Sequence, residues 1–444
     1  MDKQALDPYV SWFRSSSPYI NAHRGRTFVI LLEGGAFLEP EFNDIISDLA
    51  LLNALGVRLV IVFGARPQVE AAFVRAGIDI QRINAQGPTW IADANMMQCI
   101  HQCVGAMRIE LEGRFSLGLP NSPMHGAALK VISGNLVMAK PLGVREGIDF
   151  QYSGEVRRVE TQAISAYLDQ GAMVILPPLG YSATGEVFDL NAEEIATAAA
   201  IGLQADKLIC LGPQKGLVNS QGQLVRELAP AQAEHWLQED PAHQVDASLQ
   251  RQIQAACHAC RQGVARTHLL DYRTQGALLK ELFTRDGVGT LITDQGYEQL
   301  RNACIQDVAG LLALIQPFEE KGILVRRSRE RLESEIEHFS VIERDGMIIG
   351  CAALYTFAES AYAELACIVV DTRYRGRIRG DRLLAHTEKR ARAAGVRHLF
   401  ALTTHTAHWF LEHGFILGQL QDLPPTRQEL YNWQRNSKIL IKTL

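Results

Sequence analysis

The sequence predicts an α/β chain in two parts, the first built on a mainly parallel sheet and the second of α+β type. Two observations carry this. From Thr27 to about Gly289, short β-branched runs alternate with amphipathic helices, and near-continuous apolar strands of this kind belong to sheets covered on both faces. Around Gly287–Tyr297 the alternation stops, Gly287, Gly289 and Gly296 offer a hinge, and helices followed by hairpin-linked strands take over. The expected organisation is an N-terminal helix over residues 1–26, a first domain over 27–289 and a second over 297–444.

In chain order, Phe28–Leu32 reads as a strand, Glu41–Leu55 as a helix closed by Gly56, Val57–Phe63 as a strand and Pro67–Ala76 as a helix closed by Gly77. The beat returns at Met173–Leu176 (strand), Glu193–Leu203 (helix), Lys207–Leu211 (strand), Leu249–Arg261 (helix), His268–Leu270 (strand) and Leu278–Phe283 (helix). In the second part, Asp307–Glu320 and Ser328–Glu337 read as helices. Ser340–Arg344 and Met347–Leu354 are strands joined by Asp345-Gly346, a strong hairpin signal. Tyr362–Val370 is a strand, Gly380–Ala394 a helix ended by Gly395, Leu399–Thr403 a strand and Ile439–Ile441 the last strand.

The composition excludes several classes. Lys and Arg total 44 against 49 Asp and Glu in 444 residues, so no broad basic field attracts nucleic acid or anionic lipid. A small substrate is expected. The first 26 residues hold no apolar core of signal-peptide length, and the apolar runs are too short to span a bilayer, which predicts a cytoplasmic protein without a membrane partner. Eight cysteines spread along the chain form no disulfide framework. Cys257-His258-Ala259-Cys260 lies in a helical pattern and is expected to be a pair of half-buried thiols, with no metal.

The most informative stretch runs Glu364-Leu365-Ala366-Cys367-Ile368-Val369-Val370, then Asp371 to Gly380, then Asp381-Arg382-Leu383-Leu384. A buried strand enters a Gly- and Arg-rich loop that opens a helix, and the unpaired N–H groups of a helix start suit a pyrophosphate. Hairpin, strand with a glutamate, Arg-Gly loop, helix, strand and a helix ending Gly414-Phe415 resemble the GCN5-related N-acetyltransferases. That resemblance implies acetyl-CoA as co-substrate. It places the pyrophosphate on Arg375, Gly376, Arg377, Ile378, Arg379 and Gly380, with Ile378 where the family has its middle glycine. It places the pantetheine arm along the backbones of Cys367, Ile368, Val369 and Val370.

Acetyl transfer requires removal of an ammonium proton, stabilisation of an oxyanion and a proton for the leaving thiolate. Glu364 is the expected base, taking the proton directly or through water. Phe410 stands where relatives carry a tyrosine acid, so Thr403 is the first substitute and His405 the second. Two cationic groups, Arg326-Arg327-Ser328-Arg329 and Arg435-Asn436-Ser437-Lys438, suit a dicarboxylate amine such as glutamate, with Arg327, Arg435 and Ser437 as its binding residues.

The first domain resembles the amino-acid kinase family, nearest to the N-acetylglutamate kinases, without that family's phosphate-handling groups. Where a lysine precedes the first glycine pair, this chain reads Leu32-Glu33-Gly34-Gly35; the second phosphate loop is Gly64-Ala65-Arg66-Pro67, and a later aspartate is missing at Leu211-Gly212-Pro213. Phosphoryl transfer depends on such charges. The resemblance also implies a sensor for L-arginine, involving Tyr19, Lys215, His268, Glu281, Gly287 and Gly289. The two domains together resemble the bacterial N-acetylglutamate synthase family, through Ser17-Pro18-Tyr19-Ile20, Gly322 to Glu330 and Arg435-Asn436-Ser437. This implies L-glutamate as substrate, L-arginine as allosteric inhibitor and a homo-oligomer, a hexamer by resemblance. Two other readings stay open: an acetyltransferase for another amine, and an arginine-binding regulator with little activity.

Overall fold

The computed structural model describes residues 8–80, 90–118, 124–219, 221–239, 247–284, 286–294, 298–344, 346–357, 360–374 and 379–444. The chain divides into two compact units, Met1–Gln295 and Gly296–Leu444. The first opens with α1 (Pro8–His23), β1 (Thr27–Leu32), α2 (Phe42–Ala54), β2 (Arg58–Phe63) and α3 (Arg66–Ala76). Then come α4 (Ala94–Phe115), β3 (Val131–Ser133), β4 (Val137–Pro141), the hairpin of β5 (Val144–Arg145) and β6 (Ile148–Asp149), and β7 (Gly154–Val159). Helix α5 (Thr161–Asp169) leads to β8 (Met173–Leu176), β9 (Leu179–Tyr181), β10 (Val187–Asp189), α6 (Ala192–Gly202), β11 (Lys207–Gly212) and β12 (Glu227–Leu228). Last are α7 (Pro230–Glu239), α8 (Ala247–Arg261), β13 (Arg266–Asp271), α9 (Ala277–Phe283) and β14 (Thr290–Ile292).

Eight of these strands form one sheet in the order β12-β14-β13-β11-β1-β2-β8-β3. Every neighbouring pair is parallel except β13 with β14. The apolar run of β1 is explained by burial on both faces. Phe28, Ile30 and Leu32 pack with residues of α2 and α4, and Val29 and Leu31 with residues of α6 and α8. A second sheet, β10-β9-β4-β7, lies in a stretch where the sequence shows no periodicity, because its strands are short and partly exposed. Cys257 and Cys260 correct an expectation: both are fully inside the core, with Cys260 Sγ 3.1 Å from the Ile292 carbonyl.

The second unit comprises β15 (Glu298–Asn302), α10 (Val308–Glu320), α11 (Arg329–Ser334), β16 (Phe339–Arg344), β17 (Met347–Phe357) and β18 (Tyr362–Val370). It ends with α12 (Arg379–Ala393), β19 (His398–Thr403), α13 (Ala407–Glu412), β20 (Ile416–Leu417), α14 (Pro425–Glu429) and β21 (Lys438–Thr443). Its sheet runs β15-β16-β17-β18-β19-β21-β20, antiparallel throughout except for β18 beside β19. Residues of α10 and α11 cover one face and those of α12 the other. Among the described residues no helix is long and apolar enough to cross a membrane, and no cluster of ligating side chains could hold a metal ion.

Candidate active site

The one parallel pair of the second sheet is short. β18 and β19 are in register at Tyr362 with His398, Ala363 with Leu399 and Glu364 with Phe400, and no further. Beyond Glu364, β18 keeps its ladder to β17 while its other edge, facing β19, has no strand beside it. An unpaired edge inside a sheet is a place for an extended ligand to add as a strand, which fits a pantetheine arm. Cys367, Ile368, Val369 and Val370 all lie on this edge.

The register between β17 and β18 also shifts there, and Cys367 adopts a left-handed φ of 50°. A non-glycine residue held in that region costs roughly 1–2 kcal/mol, so the surrounding packing must impose it. The resulting bulge takes local backbone N–H groups out of the regular ladder and can aim them at a ligand oxygen.

Glu364 stands where the strands part, and the structure supplies it with a partner that sequence reasoning missed. Arg427, on α14, donates from Nε to Glu364 Oε2 at 2.7 Å and from Nη2 to Oε1 at 3.1 Å. Its Nη1 donates to the Leu430 carbonyl at 3.1 Å, which fixes the fork. No local signal in the sequence links two residues 63 positions apart.

Arg327 reaches the same region. Tyr355 is directly opposite Glu364 in the β17–β18 ladder and therefore shares its sheet face. The Tyr355 hydroxyl donates to Glu335 at 2.6 Å, and burial together with that carboxylate pushes its pKa up. The Arg327 guanidinium lies within electrostatic reach of Tyr355 and Cys367, and its buried Nε has no hydrogen-bond partner. A half-buried guanidinium whose Nη1 donates to the Val325 carbonyl at 3.2 Å while its Nε is unmet suits an incoming anion. Arg435 differs from the expected direct role, since its Nη2 donates to the carbonyls of Gly322 and Ile323 at 3.1 and 2.9 Å. It braces the turn that precedes Arg327. The Ser437 carbonyl accepts from Tyr431 at 2.7 Å.

Thr403 ends β19 three residues beyond the last parallel register position. Its Oγ1 accepts from the Thr406 N–H at 3.1 Å and lies 3.0 Å from the Thr406 hydroxyl, so the side chain closes its own turn. His405 is exposed, and Phe410 is buried in the core against Phe415. Arg375, Gly376, Arg377 and Ile378 lie outside the described residues. Arg379 corrects an expectation. Its guanidinium pairs with Glu298, through Nε at 2.7 Å and through Nη2, and donates to the Tyr374 carbonyl at 3.1 Å. Only its backbone N–H, in the first turn of α12, remains for a phosphate. Gly380 follows under the Trp409 ring, where a Cβ would come within 3.2 Å.

In the first unit His268, Glu281 and the Gly287–Gly289 turn come together beside β13. His268 Nδ1 lies 2.7 Å from Glu281 Oε1, and Glu281 Oε2 accepts from the N–H groups of Val288 and Gly289 at 2.6 and 3.0 Å. Burial opposes the Glu281 charge, but His268 and the two N–H groups outweigh it and bring its pKa down to about 2. Burial pushes the imidazole pKa down. Gly287, at φ 58°, leaves room for the carboxylate, since a Cβ there would meet Glu281 Oε2 at 2.4 Å. Gly216, at φ 116°, sits against Thr290, which brings the exposed Lys215 beside the Gly287–Gly289 turn. Tyr19 on α1 packs on the core that includes Leu282 and Phe283, and His23 Nε2 lies 2.8 Å from the Leu282 carbonyl. Two expectations change here. Glu281 does not present a free carboxylate, and the carbonyls of Asp286 and Gly287 already accept from Arg226 at 2.7 and 3.0 Å. Glu281 shapes the turn.

The kinase-like cleft opens at the carboxyl ends of β1 and β2, as a cavity of about 150 Å³ lined by Glu33, Gly34, Gly64, Arg66, Asp189 and Ser248 among others. Arg66 is clamped by Glu193 at 2.8 and 2.9 Å and by Asn191 at 3.0 Å. Ser248 and Gln252 donate to Glu33. Burial raises the Asp189 carboxyl to about 7. The cleft's two arginines, Arg66 and Arg251, share the Glu193 carboxylate, and Glu33 adds an acid to the loop, a poor setting for a triphosphate. Incubation with ATP and N-acetylglutamate is therefore expected to form no acyl phosphate above background; ATP-dependent formation of it would overturn this reading of the cleft.

A sheet splayed beside a bulged strand, with a carboxylate at the fork and a phosphate-suited helix start, defines an acyltransferase that uses a coenzyme A thioester. Residues 27–271 match the amino acid kinase family and residues 307–415 the acetyltransferase (GNAT) family. The chain is 52% identical over 442 residues, covering 99% of its length and 100% of the relative, to an amino-acid acetyltransferase of Pseudomonas fluorescens strain Pf-5. It is also 51% identical, with the same coverage, to an amino-acid acetyltransferase of Pseudomonas syringae pv. syringae. Among solved structures, N-acetylglutamate synthase from Neisseria gonorrhoeae complexed with coenzyme A and L-arginine matches with a TM-score of 0.89 and 35% identity, over 99% of this chain and 100% of that one. The same enzyme complexed with coenzyme A and N-acetyl-glutamate matches with a TM-score of 0.62 and 36% identity, with the same coverage. The chain belongs to the amino-acid acetyltransferase family.

Proposed function

We propose that the chain transfers the acetyl group of acetyl-CoA to the α-amine of L-glutamate, giving N-acetyl-L-glutamate for arginine biosynthesis in the cytoplasm. We propose further that L-arginine inhibits it through the first unit, in a homo-oligomer. The observation that carries the reading is Glu364 at the fork of β18 and β19, with half-buried Arg327 near its face of the sheet. Glu364 takes the proton from the substrate ammonium. The free amine attacks the thioester carbonyl, and bulge N–H groups near Cys367 hold the oxyanion. The C–S bond then breaks, and the second proton lost by the nitrogen passes to the leaving thiolate, with Thr403 as the proposed relay. Tyr19, Lys215, His268, Glu281 and the Gly287–Gly289 turn form the arginine region.

The support for glutamate is the carboxylate-seeking Arg327 in the region of the base, and the N-acetyl-glutamate complex of the Neisseria enzyme is consistent with it. Release of free CoA thiol from acetyl-CoA across a panel of amino acids and lysine peptides tests this. Glutamate is expected to stand well above all others. A preference for lysine peptides would favour a different amine, and no thiol release with any acceptor would favour a regulator.

A further inference from the structure

We infer that Arg427 is the receptor for the substrate's α-carboxylate, and that its transfer from Glu364 to that carboxylate frees the base. The inference rests on the functional reading above and adds to it the assignment of the second carboxylate-binding group. The argument is one of distances. For Glu364 to take the proton directly, the substrate nitrogen must come within about 3 Å of a Glu364 oxygen. In an α-amino acid the carboxyl carbon is two bonds from that nitrogen, roughly 2.5 Å away. The α-carboxylate must therefore lie within a few ångströms of Glu364, and the guanidinium already there is that of Arg427, at 2.7 and 3.1 Å.

Both Glu364 oxygens are bonded to Arg427 in the structure, so the base and its neighbouring cation are each other's partners. An incoming α-carboxylate offers the same two-oxygen fork and can replace Glu364 on the Nε and Nη2 edge while Nη1 stays on the Leu430 carbonyl. The exchange conserves charge: one carboxylate leaves the guanidinium and another takes its place, and Glu364 is left facing the ammonium group. Arg327, with its unmet Nε, is then available for the side-chain carboxylate. An amine without an α-carboxylate has nothing to offer Arg427 and leaves the base engaged.

The test compares L-glutamate with 4-aminobutyrate, which keeps the amine and the distal carboxylate and lacks the α-carboxylate, in the full-length parent and in Arg427→Met, Arg427→Gln and Arg427→Lys. Coenzyme A affinity, measured alongside, reports that each variant is folded. For glutamate, kcat/KM is expected to fall by about 10²-fold or more in Met and Gln, mostly through KM, with partial recovery in Lys. For 4-aminobutyrate the change is expected to stay within a few-fold, so the parent's discrimination between the two amines collapses. Equal losses for both amines in variants that bind coenzyme A normally would overturn the assignment and leave Arg427 a structural brace. An unchanged glutamate KM would overturn it too. A parent that releases no CoA with glutamate overturns the functional reading itself, and the receptor assignment with it.

Discussion

Replacing Glu364 with glutamine is expected to lower turnover by about 10²–10⁴-fold while coenzyme A binds almost as before. Glutamine keeps the size of the side chain and one oxygen for Arg427, so the fork of β18 and β19 and the Cys367 bulge should persist. What it loses is the ability to accept a proton. The cofactor edge of β18 begins beyond Glu364 and consists of backbone groups, which the substitution does not touch. Steady-state thiol release measures the first effect and calorimetric titration with CoA the second. Near-normal turnover at every pH would remove Glu364 from the mechanism.

The second large effect concerns the first unit. Glu281→Ala is expected to abolish the response to arginine, whose coupling of about 1–3 kcal/mol would otherwise change apparent glutamate affinity by about 5–150-fold. The carboxylate holds together His268 and the N–H groups of Val288 and Gly289, so its removal unties the turn that brings these groups beside Lys215. Leaving the buried N–H donors around it unsatisfied also costs stability, on the order of 1–3 kcal/mol. Glu281→Gln, which keeps the volume, is the companion variant and should lose most of the response with less unfolding. Tyr19→Cys should weaken the response less. The sign with pH follows from the ionised carboxylate. With its pKa brought down to about 2, Glu281 stabilises the fold above the ordinary carboxylate range, and that contribution is lost as pH falls from about 4.5 towards 2. Inhibition curves for arginine at neutral pH decide the matter, and a Glu281→Ala enzyme as sensitive as the parent would place the sensor elsewhere.

Much of this architecture was legible because burial is written into local pattern. β1, β2 and β11 are buried on both faces and read as apolar runs, and α2, α6 and α12 carry their period in the sequence. The second sheet of the first unit was not legible, since short strands with partly exposed faces leave no alternation to detect. At the site, the strand that carries Glu364 and Cys367 was readable from its run into a Gly-Arg loop. Arg427 was not, because only the fold brings α14 to β18. The same reason explains Arg379. In sequence it belongs to the arginines of the loop, and in space it turns inward to Glu298, 81 residues earlier. Local pattern reports which residues are near a site and not which way a long side chain turns.

The position of β1 at the centre of its sheet has a consequence for how the chain is made. Its neighbour β2 follows within about thirty residues, but its other neighbour pairs Phe28 with Lys207, 179 residues later. At about 5–20 residues per second, that strand emerges from the ribosome on the order of 10–40 s after β1. Through that interval Val29 and Leu31 have no β11 to pair with, and an apolar strand edge stays open to other chains. The nascent first unit thus carries an open apolar edge before it is a domain, whereas the acetyltransferase unit, synthesised later, has its widest strand pairing at Glu298 with Arg344, 46 residues apart, and closes its sheet on a much shorter clock.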